Sequence, residues 1–335
     1  MKHFAFDDQI ASQYDAVAKV LKTIDVPALD PTRPVIFAGI GTSLHACKVA
    51  AYWVSELSGG RLRPAAVETH DYALRGEIRS EDQIVVVSHR GTKRFPHHLF
   101  ERAKKVGATT IAVAGEGAEN PGGDVVLRTC ADERASTHTV SYLTALAVLG
   151  RLVAKMLGSQ GIAFDNQLDK VPTAIKETLS KPAPVDILPR LINREPLFLT
   201  GFGIDELSVL EAALKIKEGA YLWAESMSVE LALHGTPAVF EARMAAITAI
   251  PNVDDGGRTE ALRILLKELG VEVLTLGEGD CDLPFASVDY LLRPFVSIIP
   301  LQRLVAELAR RRGSNPDTTR EDVEPWASAT SRVRL

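Results

Sequence analysis

The chain carries one pattern twice. Pro34–Leu57, PVIFAGIGTSLHACKVAAYWVSEL, runs from a short β-branched segment through G-x-G into apolar residues at helical spacing. Pro196–Ser228, PLFLTGFGIDELSVLEAALKIKEGAYLWAESMS, does the same. A strand that enters a helix through a glycine turn is the repeating unit of open α/β sheets. The echo continues downstream: IVVVSHRGTK (Ile84–Lys93) is answered by AAITAIPNVDDGG (Ala245–Gly257), and GATTIAVAGEG (Gly107–Gly117) by GVEVLTLGEG (Gly270–Gly279). An internal duplication of one α/β unit accounts for all of these pairs and predicts two parallel sheets, each sandwiched by helices.

In the first copy VIFAGIG, PAAVETHDY, IVVV, TTIAVA and DVVLRT read as strands. The helices between them are LHACKVAAYWVSEL, stopped by Gly59-Gly60, and HHLFERAKKV, stopped by Gly107; a long helix STHTVSYLTALAVLGRLVAKML follows from Ser136. The polar, proline-punctuated stretch that follows holds one amphipathic helix, in DKVPTAIKETLS. The second copy closes with a helix from Pro300, PLQRLVAELARRR. The resulting division is a helical N-terminal segment 1–34, a first domain 35–157, a linker 158–195, a second domain 196–313 and a tail 314–335.

With 335 residues and 46% hydrophobic content the chain can bury a large core. A net charge of −5 and a pI near 6.0 argue against a nucleic-acid or anionic-membrane surface, which needs a basic face. The leading 34 residues are also short and acidic for a DNA-binding domain. Cys47, Cys130 and Cys281 show no CxxC spacing, so neither a disulfide framework nor a zinc site is expected, and a reducing cytoplasm is the default. No leader-type apolar region is expected, nor a run of the roughly 20 apolar residues that spans a bilayer. No metal or organic cofactor is called for.

Because the unit is duplicated, each copy serves as a control for the other. Where the first has Ser88, His89, Arg90, Gly91, Thr92 and Lys93 after its strand, the second has Asn252, Val253, Asp254, Asp255, Gly256 and Gly257. The same strand end is basic and hydroxylated in one copy and acidic in the other. Ligands of open parallel sheets collect at the carboxyl ends of strands, where backbone N–H groups point outward. The first copy therefore reads as an anion site: hydroxyls bond the oxyanion, Gly91 lets the backbone approach, and Arg90 or Lys93 neutralises charge. The alternative is a surface turn with incidental bases.

These residues resemble the sugar isomerase (SIS) domain family, and in particular the two-SIS isomerase half of glucosamine-6-phosphate synthase. Gly39–Ser43, GIGTS, is similar to the family's CGTS, and SHRGTK stands at its SQSGET. ERASTHTVSYLTAL is similar to its VASTKAFTTQL region. LEAALKIKEGAYLWAESMSVELALHGTP keeps Lys215, Glu218 and His234 at the family's spacing without a gap. The resemblance covers nearly the whole chain from Val35 and implies two tandem SIS domains of α/β class acting on an anionic sugar, most readily a phosphate. It implies that Gly41, Thr42, Ser43, Ser88 and Thr92 or Lys93 bind the phosphate and that Ser136 meets the sugar hydroxyls. Glu218 would shuttle a proton between C1 and C2 with Lys215 in support, and His234 would open the ring in the neighbouring subunit of a homodimer. From the residues alone, Glu218 fits equally an i, i+3 pair with Lys215, His234 a helix terminus, and Ser136 a helix N-cap.

The chain also departs from the family. It starts MKHFAFDD, without the N-terminal cysteine of the synthases' glutaminase domain, so glutamine-dependent amination is not expected. Its tail, EPWASATSRVRL, lacks the family's imine-forming lysine, and Arg332 or Arg334 cannot stand in as a nucleophile. His89, Arg90 and Lys93 make the anion loop more basic, which would suit a phosphate, a sulfonate or a carboxylate. Glu230 stands one helical turn before His234, close enough to pair with it. The expected function is a sugar-phosphate aldose–ketose isomerase or an aminosugar-phosphate deaminase/isomerase. The competing class is a sugar-phosphate-binding sensor.

Overall fold

A computed structural model describes residues 2–333, so Arg334 lies outside the described residues. Helix α1 (Ala5–Thr23) leads into β1 (Val35–Gly39), α2 (Thr42–Leu57), β2 (Ala65–Glu68), α3 (Thr69–Arg75), β3 (Gln83–Val87), α4 (Arg94–Val106), β4 (Thr109–Ala114), β5 (Val125–Arg128) and α5 (Val140–Leu157). Three helices, α6 (Ile162–Leu168), α7 (Val171–Ser180) and α8 (Leu188–Leu191), precede the second copy. That copy comprises β6 (Leu197–Gly201), α9 (Ile204–Lys215), β7 (Ala224–Ser228), α10 (Val229–Leu233), β8 (Ala245–Ala249), α11 (Arg258–Glu268), β9 (Glu272–Glu278), β10 (Leu283–Phe285) and α12 (Pro294–Arg312). A short α13 (Trp326–Ser331) follows.

The strands form two five-stranded parallel sheets, ordered β2-β1-β3-β4-β5 and β10-β9-β8-β6-β7. Read from its other edge, the second is β7-β6-β8-β9-β10, strand for strand the order of the first. The duplication visible in the sequence is thus a duplication of topology. Strands β1, β3, β6 and β8 are buried at every position, as strands covered by helices on both faces must be. Contacts divide the chain into two compact units. One takes the first sheet with Ser12–Glu133 and Thr139–Pro172; the other takes the second sheet with the stretch up to Ala11, Arg134–His138 and Thr173–Val333.

Equivalent faces build equivalent cores. Ile36, Ile84 and Ala112 of the first sheet pack with Ala73 of α3 and Leu99, Phe100 and Ala103 of α4. Phe198, Ala246 and Val273 of the second pack with Val229 and Ala232 of α10 and Leu262 and Leu266 of α11. Helix α4 buries Pro96, Leu99, Phe100 and Ala103, one stripe at i, i+3, i+4 and i+7, and ends where Gly107 turns left-handed at φ 78°.

Four expectations are corrected. PAAVETHDY is a strand only to Glu68, after which the buried Thr69 starts α3. Helix α5 begins at Val140 and not at Ser136, because the Glu133 carboxylate accepts the N–H groups of Thr139, Val140 and Ser141 at 2.8–2.9 Å and so caps the helix there. Helix α12 starts at Pro294 and runs through Pro300, held by burial along nearly its whole length. Val140–Gln160 is long and apolar enough to cross a membrane, its few polar residues being too sparse to break the run, yet 89% of its apolar 18-residue window is buried inside the protein; it is a core helix.

Candidate functional site

In the first-sheet unit, β1 and β3 are hydrogen-bonded neighbours, so the loops that leave them, Gly41-Thr42-Ser43 and Ser88–Lys93, emerge side by side at the carboxyl edge. A Cβ on Gly39 would lie 2.5 Å from the Ser43 carbonyl carbon, so only glycine lets β1 run this close under the first turn of α2. The cap residues of α2 and α4, Gly41 and Lys93, supply no side-chain acceptor to those helix N-termini. The second loop is fastened by its backbone. Ser88 N–H donates to Val113 O at 2.9 Å, Gly115 N–H to His89 O at 2.8 Å and Gly91 N–H to Ser88 O at 3.1 Å. The His97 ring nitrogen Nε2 lies 2.7 Å from Gly91 O, and Gly91 sits at φ 65°.

With the backbone fixed, the side chains divide. Arg90 and Thr92 are exposed, and Thr42, Ser43, Ser88 and Lys93 are half-buried. The His89 side chain is 11% exposed, with Nε2 3.9 Å from Asp132. Burial pushes its imidazole below the ordinary value, against the pull of Glu133 and Asp132 and with the help of Arg90.

In the second-sheet unit, α9 passes into a π-helical turn, Ile216–Ala220, that carries Glu218. Lys215 Nζ stands 2.6 Å from Glu218 Oε2 and 3.4 Å from Glu211 Oε1; the side chains of Lys215, Glu211 and Glu218 are 2%, 1% and 30% exposed. The carbonyls that end the turn are captured: Ser314 Oγ donates to Gly219 O at 2.8 Å and Arg312 Nε to Ala220 O at 3.1 Å. Tyr221, left-handed at φ 53°, donates its hydroxyl to Asn315 O and accepts from Arg320 N–H. The Arg320 guanidinium lies 4.4 Å from the Tyr221 ring and 3.9 Å from the Trp326 ring, which anchors the tail beside the turn.

Ser136 belongs to this second-sheet unit, its N–H bonded to Asp317 O at 2.9 Å; the N-cap of α5 is Thr139, not Ser136. His234 caps the C-terminus of α10, 69% exposed, with Nε2 2.7 Å from Glu230 Oε1. Arg258 donates to both Glu230 oxygens at 2.8 and 3.1 Å, and its bonds together with that of His234 hold Glu230 below the usual carboxylate range. Among the described residues no hydrogen bond or ion pair joins His234 to Glu218.

Two partners escaped the sequence reading. Glu211 stands at i−4 from Lys215, a spacing visible in the sequence. Arg258 meets Glu230 only through the fold. Burial raises the Cys47 thiol far above its ordinary value and pushes Cys130 up to about 11, which disfavours the reactive thiolate at both.

The second copy fills its own equivalent places. The first N–H of α9, at Ile204, donates to the Tyr290 hydroxyl at 2.9 Å, and Asp255 accepts from Gly257 and Thr259 at the start of α11 at 2.9 and 2.7 Å. Arg293, fully buried, engages Asp205, Glu278 and Ile250 O. Strand register also corrects the pairing of the loops. With β1 aligned on β6 and β3 on β8, Ser88 corresponds in position to Ile250 and not to Asn252, and the second loop, Ile250–Gly257, is two residues longer than Ser88–Lys93.

Residues 29–154 match the model of the SIS domain family. Over 312 residues the chain is 28% identical to the glutamine–fructose-6-phosphate aminotransferase (isomerizing) of Thermococcus kodakarensis, a match spanning 85% of this chain and 50% of that protein. It spans 22–51% of the first three curated relatives it matches. Among solved structures, the C-terminal domain of glucosamine-fructose-6-phosphate aminotransferase from Francisella tularensis superposes with a TM-score of 0.84 at 17% identity, over 94% of this chain and 98% of that one. Glucosamine-6-phosphate deaminase from Thermotoga maritima superposes with a TM-score of 0.78 at 21% identity, over 94% and 97%.

Proposed function

For a chain whose residues 29–154 match the SIS domain family model and whose two sheets share one topology, we propose an enzyme that isomerises a phosphorylated sugar, or isomerises and deaminates an aminosugar phosphate. The observation that carries this reading is the asymmetry between the copies. One has cap residues, Gly41 and Lys93, that supply no side-chain acceptor, set among hydroxyls and bases; the other has Tyr290 and Asp255 accepting N–H groups at its two helix starts. A dianion is attracted to the first place and excluded from the second.

In this reading Thr42, Ser43, Ser88 and Thr92 bond the phosphate while Arg90 and Lys93 balance its charge, and Ser136 meets the sugar hydroxyls. The Glu218 carboxylate takes a proton from the carbon beside the carbonyl, giving an enediol or enediolamine, and returns it to the neighbouring carbon. Lys215 stays bonded to Glu218 throughout. His234, with Nε2 bonded to Glu230, offers Nδ1 to the ring hydroxyl; its exposure on α10 suits service to the neighbouring subunit of a homodimer. Three unpaired cysteines suit a reducing cytoplasm.

Proton NMR in heavy water tests the reaction, with fructose 6-phosphate, glucose 6-phosphate, glucosamine 6-phosphate, N-acetylglucosamine 6-phosphate and an unphosphorylated sugar. Deuterium entering C1 or C2 of a phosphorylated member is expected, and Glu218→Gln lowers that exchange by about 10²–10⁴-fold. Line broadening without exchange would instead indicate a binding protein.

A further inference from the structure

The proposed reaction gives no task to the buried Glu211 carboxylate, 1% exposed and 3.4 Å from Lys215 Nζ. We propose that Glu211 is a positioning residue that serves as the permanent counter-ion of Lys215, and that by doing so it allows Glu218 to become neutral halfway through the reaction. The inference rests on Glu218 being the proton carrier.

A base that carries a substrate proton from one carbon to the next must pass through its protonated, uncharged form. Glu218 lies 2.6 Å from an ammonium that is itself 2% exposed. Were it the sole counter-charge, each protonation of Glu218 would strand a cation in the interior, where an uncompensated charge is costly. The carboxylate would then hold its charge and make a poor base. Glu211 removes that penalty. It approaches Lys215 from the same helix, one turn earlier, and remains ionised while Glu218 cycles. The balance closes over two protons: the carbon proton passes to Glu218 and from it to the next carbon, the hydroxyl proton passes between the two neighbouring substrate oxygens, and Lys215 and Glu211 end unchanged.

Other charges of this unit also bear on the turn. From α12, Arg312 donates to Ala220 O, and from the tail Arg320 stacks on Tyr221. The Asp205–Arg293 pair sits at the other end of α9, and His138 lies in the 134–138 segment of the same unit.

Carboxyl ¹³C NMR of the whole protein, without substrate, tests this directly, with the Glu218 signal identified by its loss in Glu218→Gln. In the wild type, Glu218 is expected to titrate while Glu211 stays ionised through that transition. In Glu211→Gln, which keeps the shape but not the charge, the Glu218 midpoint is expected to fall by about one pH unit or more. A Glu211 that is neutral while Glu218 is charged overturns the proposal, and so does an unmoved Glu218 in a folded Glu211→Gln protein. The wild-type arm holds even if that variant fails to fold. Since no sugar is needed, failure here is distinguishable from failure of the isomerase reading, which the exchange experiment decides. If exchange occurs, Glu211→Gln moves the acidic limb of its pH profile down in step with Glu218, a change that a loss of packing alone would not produce.

Discussion

Arg90 projects from a loop whose backbone is already fixed by β4, so its removal takes away charge without unmaking the loop. Arg90→Ala is expected to weaken binding of a sugar phosphate by about tenfold to a hundredfold, as loss of a charge-assisted bond does, while leaving the weak binding of the unphosphorylated sugar unchanged. Titration calorimetry of both ligands decides this; an equal loss on both would mean that Arg90 serves the loop and not the anion. His89, beside it, is held below its ordinary imidazole value by burial. The unfolded chain therefore takes up this proton first as pH falls, so the protein is stable above the ordinary imidazole range and loses stability as pH drops through it toward the folded value. Thermal melts at about pH 7.5 and about pH 5, either side of the ordinary imidazole value, should show a larger fall for wild type than for His89→Gln; equal falls would place the acid sensitivity elsewhere.

The π-helical turn shows what an element contributes beyond its residues. Its extra residue per turn leaves carbonyls that α9 cannot use, and they are taken by Ser314 and Arg312. Gly219 lets α12 approach: a Cβ there would stand 2.4 Å from Val305 Cγ1. Gly219→Ala is expected to cost about 1–3 kcal/mol of stability, and to reduce proton exchange by more than the unfolded fraction explains, since the displaced turn carries Glu218. Urea unfolding alongside the exchange assay separates the two effects. The strand-to-helix turn at Gly39 is stricter, because the neighbour of a Cβ there is backbone and cannot rotate away. Gly39→Ala is expected to be the more destabilising of the two glycine substitutions, measured as the fall in urea midpoint.

For the whole molecule, the two copies share a topology and differ in what stands at their strand ends. Tyr290, Asp255 and the buried Arg293–Asp205 pair occupy the second copy's strand ends. Calorimetry with a bound sugar phosphate should therefore give one site per chain; two equal sites would contradict the closure described for the second copy. Arg293→Met, which leaves Asp205 buried without its partner, is expected to destabilise by about 3–5 kcal/mol, with little change in phosphate affinity, read from unfolding and binding measured on the same sample.

The repeat of strand, glycine turn and helix was legible in the chain because local patterning alone sets it: β-branched runs, apolar residues at helical spacing, and glycines where φ turns positive, as at Gly107. The α/β class, the two copies and the basic loop at Ser88–Lys93 followed from that patterning. Element limits were less legible wherever a distant or non-repeating group decides them, as when the Glu133 carboxylate starts α5 four residues after Ser136. Only the tertiary structure joined Arg258 to Glu230 across 28 positions, set Ser136 against Asp317, and let Tyr290 close the N-terminus of α9. Such pairings depend on where the sheet and its crossover helices bring distant segments together, and no local periodicity encodes that meeting. The sequence placed hydroxyls and bases after one strand and acids after the other; the folding of each copy around its own strand ends decided which partners those groups meet.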